Sequence, residues 1–191
     1  VPIKTAQMGG NLALALDLKI QYLAHRELAA AIATHKAKGG SVVVLDAKTG
    51  EILALANQPN FNPNNRRNYQ PGPMRNRAVI DTFEPGSTIK PFVAAAVLER
   101  GLFHPDSVID TPQTWLVGTK RVRDEHPHPQ MTVSEIIQKS SNVGAVKMAM
   151  TLTPQQFWEV LNRAGFGQKP GSGFPGETSG RLRDADSWKP V

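Results

Sequence analysis

The sequence contains no cysteine. Disulfides, thiolate metal sites and thiol nucleophiles are therefore excluded, although the absence does not choose a compartment. No apolar run approaches the ~20 residues needed to cross a bilayer, and no signal peptide opens at Val1. The chain is therefore expected either to be cytosolic or to have a targeting segment outside these residues. Charge of one sign is not concentrated either. The net charge of +6 comes from scattered basic residues: Arg66-Arg67, Arg75, Arg77, Lys120-Arg121 and Arg123. Without interleaved aromatics or a reader motif, a solvated face accounts for them, and no nucleic-acid partner is expected.

What is present is the composition of a soluble globular domain, or part of a larger one: 191 residues, 40% apolar and 20% charged. Sixteen glycines and fifteen prolines predict many turns. Residues 1–11 read as linker. Leu12, Leu14 and Leu16 alternate with alanines at strand period, and Asp17 then offers an N-cap. Ile20, Leu23, Ala24, Leu28, Ala31 and Ile32 follow at helical spacing up to Gly39-Gly40. Residues 41–46 and 51–56 are two apolar strands around Lys48-Thr49-Gly50, a β-hairpin whose β-branched content predicts a sheet centre. Residues 58–77, rich in Asn, Pro and Arg, read as a long surface loop, and a loop of that length is usually functional or an insertion. Ala78-Val79-Ile80 leads back into the core.

The most informative stretch is Glu84-Pro85-Gly86-Ser87-Thr88-Ile89-Lys90. A Pro-Gly turn delivers a serine and a lysine onto an alanine-rich helix predicted from Ser87 to a left-handed Gly101 cap, with Pro91 tolerated in the opening turn. Three residues apart on a helix, Lys90 comes within reach of the Ser87 hydroxyl. That is a nucleophile beside a base, provided burial and the helix dipole keep the amine partly neutral. Ser87 as a plain cap and Lys90 as a solvated charge is the competing account.

Beyond Gly101, residues 102–130 read as short strands and loops. His126-Pro127-His128 tempts a metal reading, but a third ligand is not signalled, so a stiff polar loop is expected and no metal. Thr132 and Glu135 form a capping box that opens a short helix. The helix breaks at Ser140-Ser141-Asn142 and resumes from Val143 to Met150, so three small polar residues sit at a junction, where a cap and turn also explains them. Thr153 and Gln156 form a second box for a helix carrying Phe157, Trp158, Val160 and Leu161. A Gly- and Pro-rich tail follows.

Taken together, Ser-x-x-Lys at the head of an apolar helix and Ser-x-Asn at a later helix junction form the layout of penicillin-binding proteins and class A β-lactamases. Phe61-Asn62-Pro63-Asn64-Asn65, Met74-Arg75-Asn76-Arg77, the Phe83–Pro91 run and Lys139-Ser140-Ser141-Asn142-Val143-Gly144 extend the match across residues 12 to 188. The chain resembles the transpeptidase domain of the class B, division-specific penicillin-binding proteins of Gram-negative bacteria, the penicillin-binding protein 3 type. The resemblance implies an α/β (α+β) fold like that of serine β-lactamases, with an antiparallel sheet flanked by helices. It implies a D,D-transpeptidase that cross-links stem peptides ending in D-Ala-D-Ala during septal cell-wall synthesis, through a serine acyl-enzyme that β-lactams also form. Ser87 would be the nucleophile, its N–H half of an oxyanion hole. Lys90 would accept the Ser87 proton, Ser140 would relay a proton to the leaving amine, and Asn142 would bind the substrate backbone and steady Lys90. No cofactor or metal is implied. The expected setting is a periplasmic domain of an inner-membrane protein, anchored by an N-terminal helix not in these residues and working with division proteins.

The family's third box, Lys-Thr-Gly or Lys-Ser-Gly, is not found after the Ser-x-Asn helices. Lys48-Thr49-Gly50 has the letters but lies ahead of Ser87, and reads as a plain turn in which Gly50 supplies positive φ. Residues 12–191 are accordingly expected to be the N-terminal part of a transpeptidase domain, lacking C-terminal strands and weakly active or inactive alone. Two other classes remain. A serine β-lactamase would need a water-directing base, for which Glu125 and Glu177 are the candidates. A β-lactam sensor or division scaffold would keep the fold without turnover.

Overall fold

The computed structural model describes residues 5, 7–65 and 71–188. Parts of the expected linker 1–11 and of the loop 58–77, including Arg66-Arg67, lie outside the described residues, as does the chain after Trp188. The chain forms two compact units, Val1–Asp81 and Thr82–Val191.

In the first unit, helix α1 (Leu18–His35) begins where the Asp17 carboxylate accepts hydrogen bonds from Lys19 N and Ile20 N at 2.8 and 3.0 Å, satisfying donors that have no partner inside the helix. Its inner face is a stripe at four-residue spacing, Ile20, Ala24, Leu28 and Ile32. This stripe packs against Val42, Val44, Ala54 and Ala56 of strands β1 (Gly40–Leu45) and β2 (Ile52–Gln58). Leu23 and Ala31, expected on that face, turn outward. The helix closes on Lys36 in the left-handed region, with Ala37 N bonding Ile32 O.

Strands β1 and β2 pair antiparallel as a two-stranded sheet, in the register Val43↔Leu55, with an irregularity between Val44 and Leu45. The expectation of a sheet centre is corrected. Residues on the face of β1 away from α1, Val43 and Leu45, are 45% and 55% exposed, because a hairpin covered by one helix buries only alternate side chains. Lys48-Thr49-Gly50 is the turn expected of it: Asp46 accepts from Lys48 N and Thr49 N, and Gly50 has φ 76°. The leucine alternation at 12–16 makes no strand, and Leu12 and Leu14 are exposed. Alternation alone cannot form a strand without a ladder partner, and among the described residues none is offered. Helical turns α2 (Pro71–Met74) and α3 (Arg77–Ile80) break up the long loop. There Asn57 bonds both Asn76 and the Ala78 N–H, while His25 contacts Asn60. Asn76 and Ala78 thus fasten the end of that loop onto β2.

In the second unit the core is helical. A single 3-10 turn, Gly86–Ile89, runs into α4 (Lys90–Glu99). The α-helix therefore starts three residues later than expected, and Ser87 sits in the tighter turn. Pro91 occupies the opening turn, and Gly101 follows the helix end with φ 64°. Helices α5 (Val133–Gln138), α6 (Asn142–Ala149) and α7 (Pro154–Arg163) close on α4 through Val93, Val97, Ile136, Ala145, Met148 and Val160. Both capping boxes are formed as expected, Thr132 with Glu135 and Thr153 with Gln156. The region 102–130 holds short strands: β3 (Val108–Asp110) pairs with β6 (Gln130–Thr132), and β4 (Thr114–Val117) with β5 (Lys120–Arg123).

Helices α5 and α6 approach so closely that a Cβ on Gly144 would lie 2.5 Å from the Ile136 side chain, which is fully buried. Overpacking of that kind costs about 1–3 kcal/mol. Gly144→Ala is expected to lower unfolding free energy by that amount in urea titrations, and Ile136→Val in the same background to recover part of it.

Candidate functional site

The site is built on the junction between α5 and α6. Helix α5 ends in a Schellman arrangement: Ser141 N reaches back to Ile136 O and Ser140 N to Ile137 O. The residue at the bend, Ser140, has φ 55°. Glycine usually fills that left-handed position, since other L-residues pay about 1 kcal/mol or more there. The bend turns both the carbonyl and the hydroxyl of Ser140 toward one amine. Lys90 Nζ donates to Ser140 O at 2.5 Å, to Ser140 Oγ at 2.9 Å and to Asn142 Oδ1 at 2.8 Å. All three donors of the ammonium are used.

Lys90 is only 7% exposed. Burial pushes its amine below the ordinary lysine range, and the negative charge of Asp124 partly offsets this. Ser87 is exposed, and together with Ser140 and Asn142 it lines a cavity of about 230 Å³. Its N–H lies ahead of the first bond of the 3-10 turn, Thr88 N to Pro85 O, and is not consumed by it.

The structure thus brings Ser87, Lys90, Ser140 and Asn142 to one place. The Ser87 hydroxyl has no hydrogen-bond partner among the described residues, and Lys90 bonds Asn142, as the resemblance implies, and both oxygens of Ser140. Three acceptors, all on a junction held in place from both sides, satisfy the buried ammonium.

The second polar layer escaped the sequence reading. Asp124, 8% exposed, accepts from Asn142 N at 2.5 Å, Val143 N at 3.0 Å and Ser141 Oγ at 2.6 Å. It is an anion set on the N-terminus of α6, where the unpaired N–H groups and the positive end of the dipole favour it. Ser141 adds an N-cap bond from Gly144 N. Asn142 Nδ2 donates to Arg123 O, which fixes the amide with its oxygen toward Lys90. The stretch 123–129, read as a stiff polar loop, is therefore a support for the junction, held in turn where Thr111 bonds the carbonyls of His128 and Pro129. No sequence signal marked Asp124, because its partners lie 17 to 19 residues away. Of the two glutamates considered as bases, Glu125 lines the cavity. Glu177 is held in a local turn by Ser172 and the Gly171 N–H.

Among the described residues no group of His and carboxylate side chains is arranged to hold a metal.

The profile of a family described as the penicillin binding protein transpeptidase domain matches residues 40–189. The chain is 45% identical over 188 residues to the probable peptidoglycan D,D-transpeptidase PenA of Neisseria gonorrhoeae, covering 98% of this chain and 32% of that protein. It is 38% identical over 186 residues to the peptidoglycan D,D-transpeptidase FtsI of Escherichia coli, covering 97% of this chain and 32% of that one. The chain spans about a third of the length of these relatives. In structure it is similar to the transpeptidase domain of Burkholderia pseudomallei penicillin-binding protein 3, with a TM-score of 0.81 and 37% identity, covering 92% of this chain and 49% of that one.

Two outcomes test the junction. Ser140→Gly is expected to be more stable than Ser140→Ala by about 1 kcal/mol, since both lack the hydroxyl but only alanine bears the left-handed cost. Asp124→Ala strands two N–H groups and a hydroxyl, and an unfolding titration is expected to register a loss of about 2–4 kcal/mol.

Proposed function

Because the chain belongs to the penicillin-binding-protein transpeptidase family, we propose that it carries the donor side of a peptidoglycan D,D-transpeptidase that cross-links stem peptides ending in D-Ala-D-Ala. Ser87 attacks the penultimate D-Ala carbonyl, terminal D-Ala leaves, and the acyl-enzyme is resolved by the amine of a neighbouring stem peptide. β-Lactams acylate the same serine. The setting is septal wall synthesis in the periplasm, with division proteins as partners.

The observation that carries this reading is the Lys90 amine, buried and bonded to Ser140 Oγ and Asn142 Oδ1, beside a cavity that Ser87 lines. A lysine serves as a base only when part of it is neutral, and the burial of Lys90 favours that form. In the neutral state Nζ keeps two donors and gains a lone pair. The Ser140 hydroxyl, 2.9 Å away, can turn to donate into that lone pair, or release it to the proton of Ser87. Ser140, which lines the cavity itself, is then the group through which a proton passes between the enclosed lysine and the leaving amine. The Ser87 N–H, which the 3-10 turn does not use, serves as one oxyanion donor.

A second reading, a serine β-lactamase, draws support from Glu125 at the cavity. The two differ in the fate of the acyl-enzyme: bound penicillin leaves a transpeptidase slowly and a β-lactamase fast.

A fluorescent penicillin is expected to label the protein covalently, and Ser87→Ala to abolish the labelling; persistent labelling of that variant would defeat the assignment. Lys90→Ala is expected to slow acylation by about 10²- to 10⁴-fold. In the wild type the acylation rate is expected to rise with pH through a midpoint below that of an ordinary lysine. The sign for stability is the same. The folded protein disfavours the ammonium, so the penalty is full below the depressed folded pKa and vanishes as pH rises to the unfolded value. In Lys90→Met that component of the pH dependence is expected to disappear.

A further inference from the structure

Two carboxylates line the cavity beside Ser87, Asp124 and Glu125, and they are chemically unlike. Asp124 is buried and accepts three hydrogen bonds at the α6 N-terminus. Its charge is committed to the fold. Glu125 is exposed, and among the described residues its carboxylate has no hydrogen-bond or ion-pair partner. The next residue, His126, is also exposed and lines the same cavity, and its ring is likewise without a partner. Two cations flank the space. Lys90 is enclosed by its three acceptors, and Lys139 lines the cavity within 3.9 Å of Glu135. A cationic ligand is therefore drawn to Glu125, the lining carboxylate without a partner among the described residues, and repelled by Lys139.

The second half-reaction of an acyl transfer to an amine needs such a place. An amine enters from water mostly as its ammonium, must be held near the ester, and must lose a proton before it can attack. Resting on the acyl-enzyme reading above, we propose that Glu125 and His126 form the subsite for the acceptor amine: the Glu125 carboxylate holds the incoming ammonium and the His126 imidazole takes its proton. The freed amine lone pair forms a bond to the acyl carbon, and the bond from that carbon to Ser87 Oγ breaks. The proton lost by the amine nitrogen on forming the amide passes to Ser87 Oγ by way of Ser140 and Lys90. His126 returns its own proton to solvent. The net change is ester plus ammonium to amide plus serine plus one proton. Glu125 is thus an acceptor-specificity residue rather than the water-directing base of a hydrolase.

The test is a partition measurement on the protein. A D-Ala-D-Ala-like thioester donor is supplied with D-alanine as acceptor, and aminolysis and hydrolysis products are counted from the same acyl-enzyme. Their ratio is independent of how fast that intermediate forms. Glu125→Gln is expected to lower the ratio about tenfold, and Glu125→Asp to keep more of it than Glu125→Gln does. His126→Asn is expected to lower it as well. With hydroxylamine, an acceptor largely uncharged at neutral pH, Glu125→Gln is expected to leave the ratio unchanged. An unchanged ratio with D-alanine, or a ratio that rises because hydrolysis slows, would overturn the subsite; the second result would make Glu125 a water-directing base. A wild-type protein that fluorescent penicillin fails to acylate at Ser87 would instead remove the acyl-enzyme reading itself, so the two failures are told apart.

Discussion

An ammonium taken out of water must find its hydrogen bonds inside the protein, and the second unit is arranged around doing this for Lys90. Its acceptors are one carbonyl, one hydroxyl and one amide oxygen, all from residues 140 and 142. Removing a buried charge's partners costs several kcal/mol, so the geometry of the α5–α6 junction is fixed by the same energy that fixes the lysine. That explains why a serine tolerates φ 55° at Ser140. The strain of about 1 kcal/mol is smaller than what the two Ser140 oxygens return.

The junction is itself held from two sides by different forces. From within, Gly144 lets α6 settle on Ile136, and the apolar core of α4, α5, α6 and α7 closes around them. From outside, Asp124 neutralises the N-terminus of α6 and fastens Ser141, the residue between the two that hold Lys90. The carboxylate also has an electrostatic effect at a distance, favouring the charged lysine while burial disfavours it. The protonation of Lys90 is the balance of these two opposed influences, and a change at Asp124 shifts both the shape of the site and that balance.

How much of this the sequence disclosed follows from the range of each interaction. Local devices were legible: the Asp17 cap, both capping boxes, the Gly50 turn and the Gly101 helix end depend on residues within a few positions of one another. The Ser87–Lys90 and Ser140–Asn142 patterns were legible as motifs, and the structure brings them together. Spacing could not show interactions whose partners are far apart in the chain, and the bond of Asn142 to Lys90 was expected only through the resemblance. Lys90 meets Ser140 across 50 residues, so spacing alone directed it to Ser87, and Asp124 hid in a run whose histidines invited a metal reading. The leucines at 12–16 erred in the opposite way, because periodicity reports a capacity to pair and not a partner. The three polar residues 140–142 show both accounts at once: Ser141 is the ordinary cap, while its neighbours face the lysine.

The separation of Asp124 from Glu125 carries the same physics to the cavity's edge. Adjacent in sequence, the two carboxylates end in opposite conditions because β5 ends at Arg123 and the chain passes over the start of α6. One side chain falls inward onto the helix N-terminus, where three donors await it, and the next is left facing water. An anion with its hydrogen bonds filled by the fold has little left to offer a ligand, whereas a solvated one can exchange water for an incoming cation at small cost. The fold therefore encloses the charges that hold Lys90 and the α5–α6 junction in register, and leaves a loosely held charge at the cavity's opening.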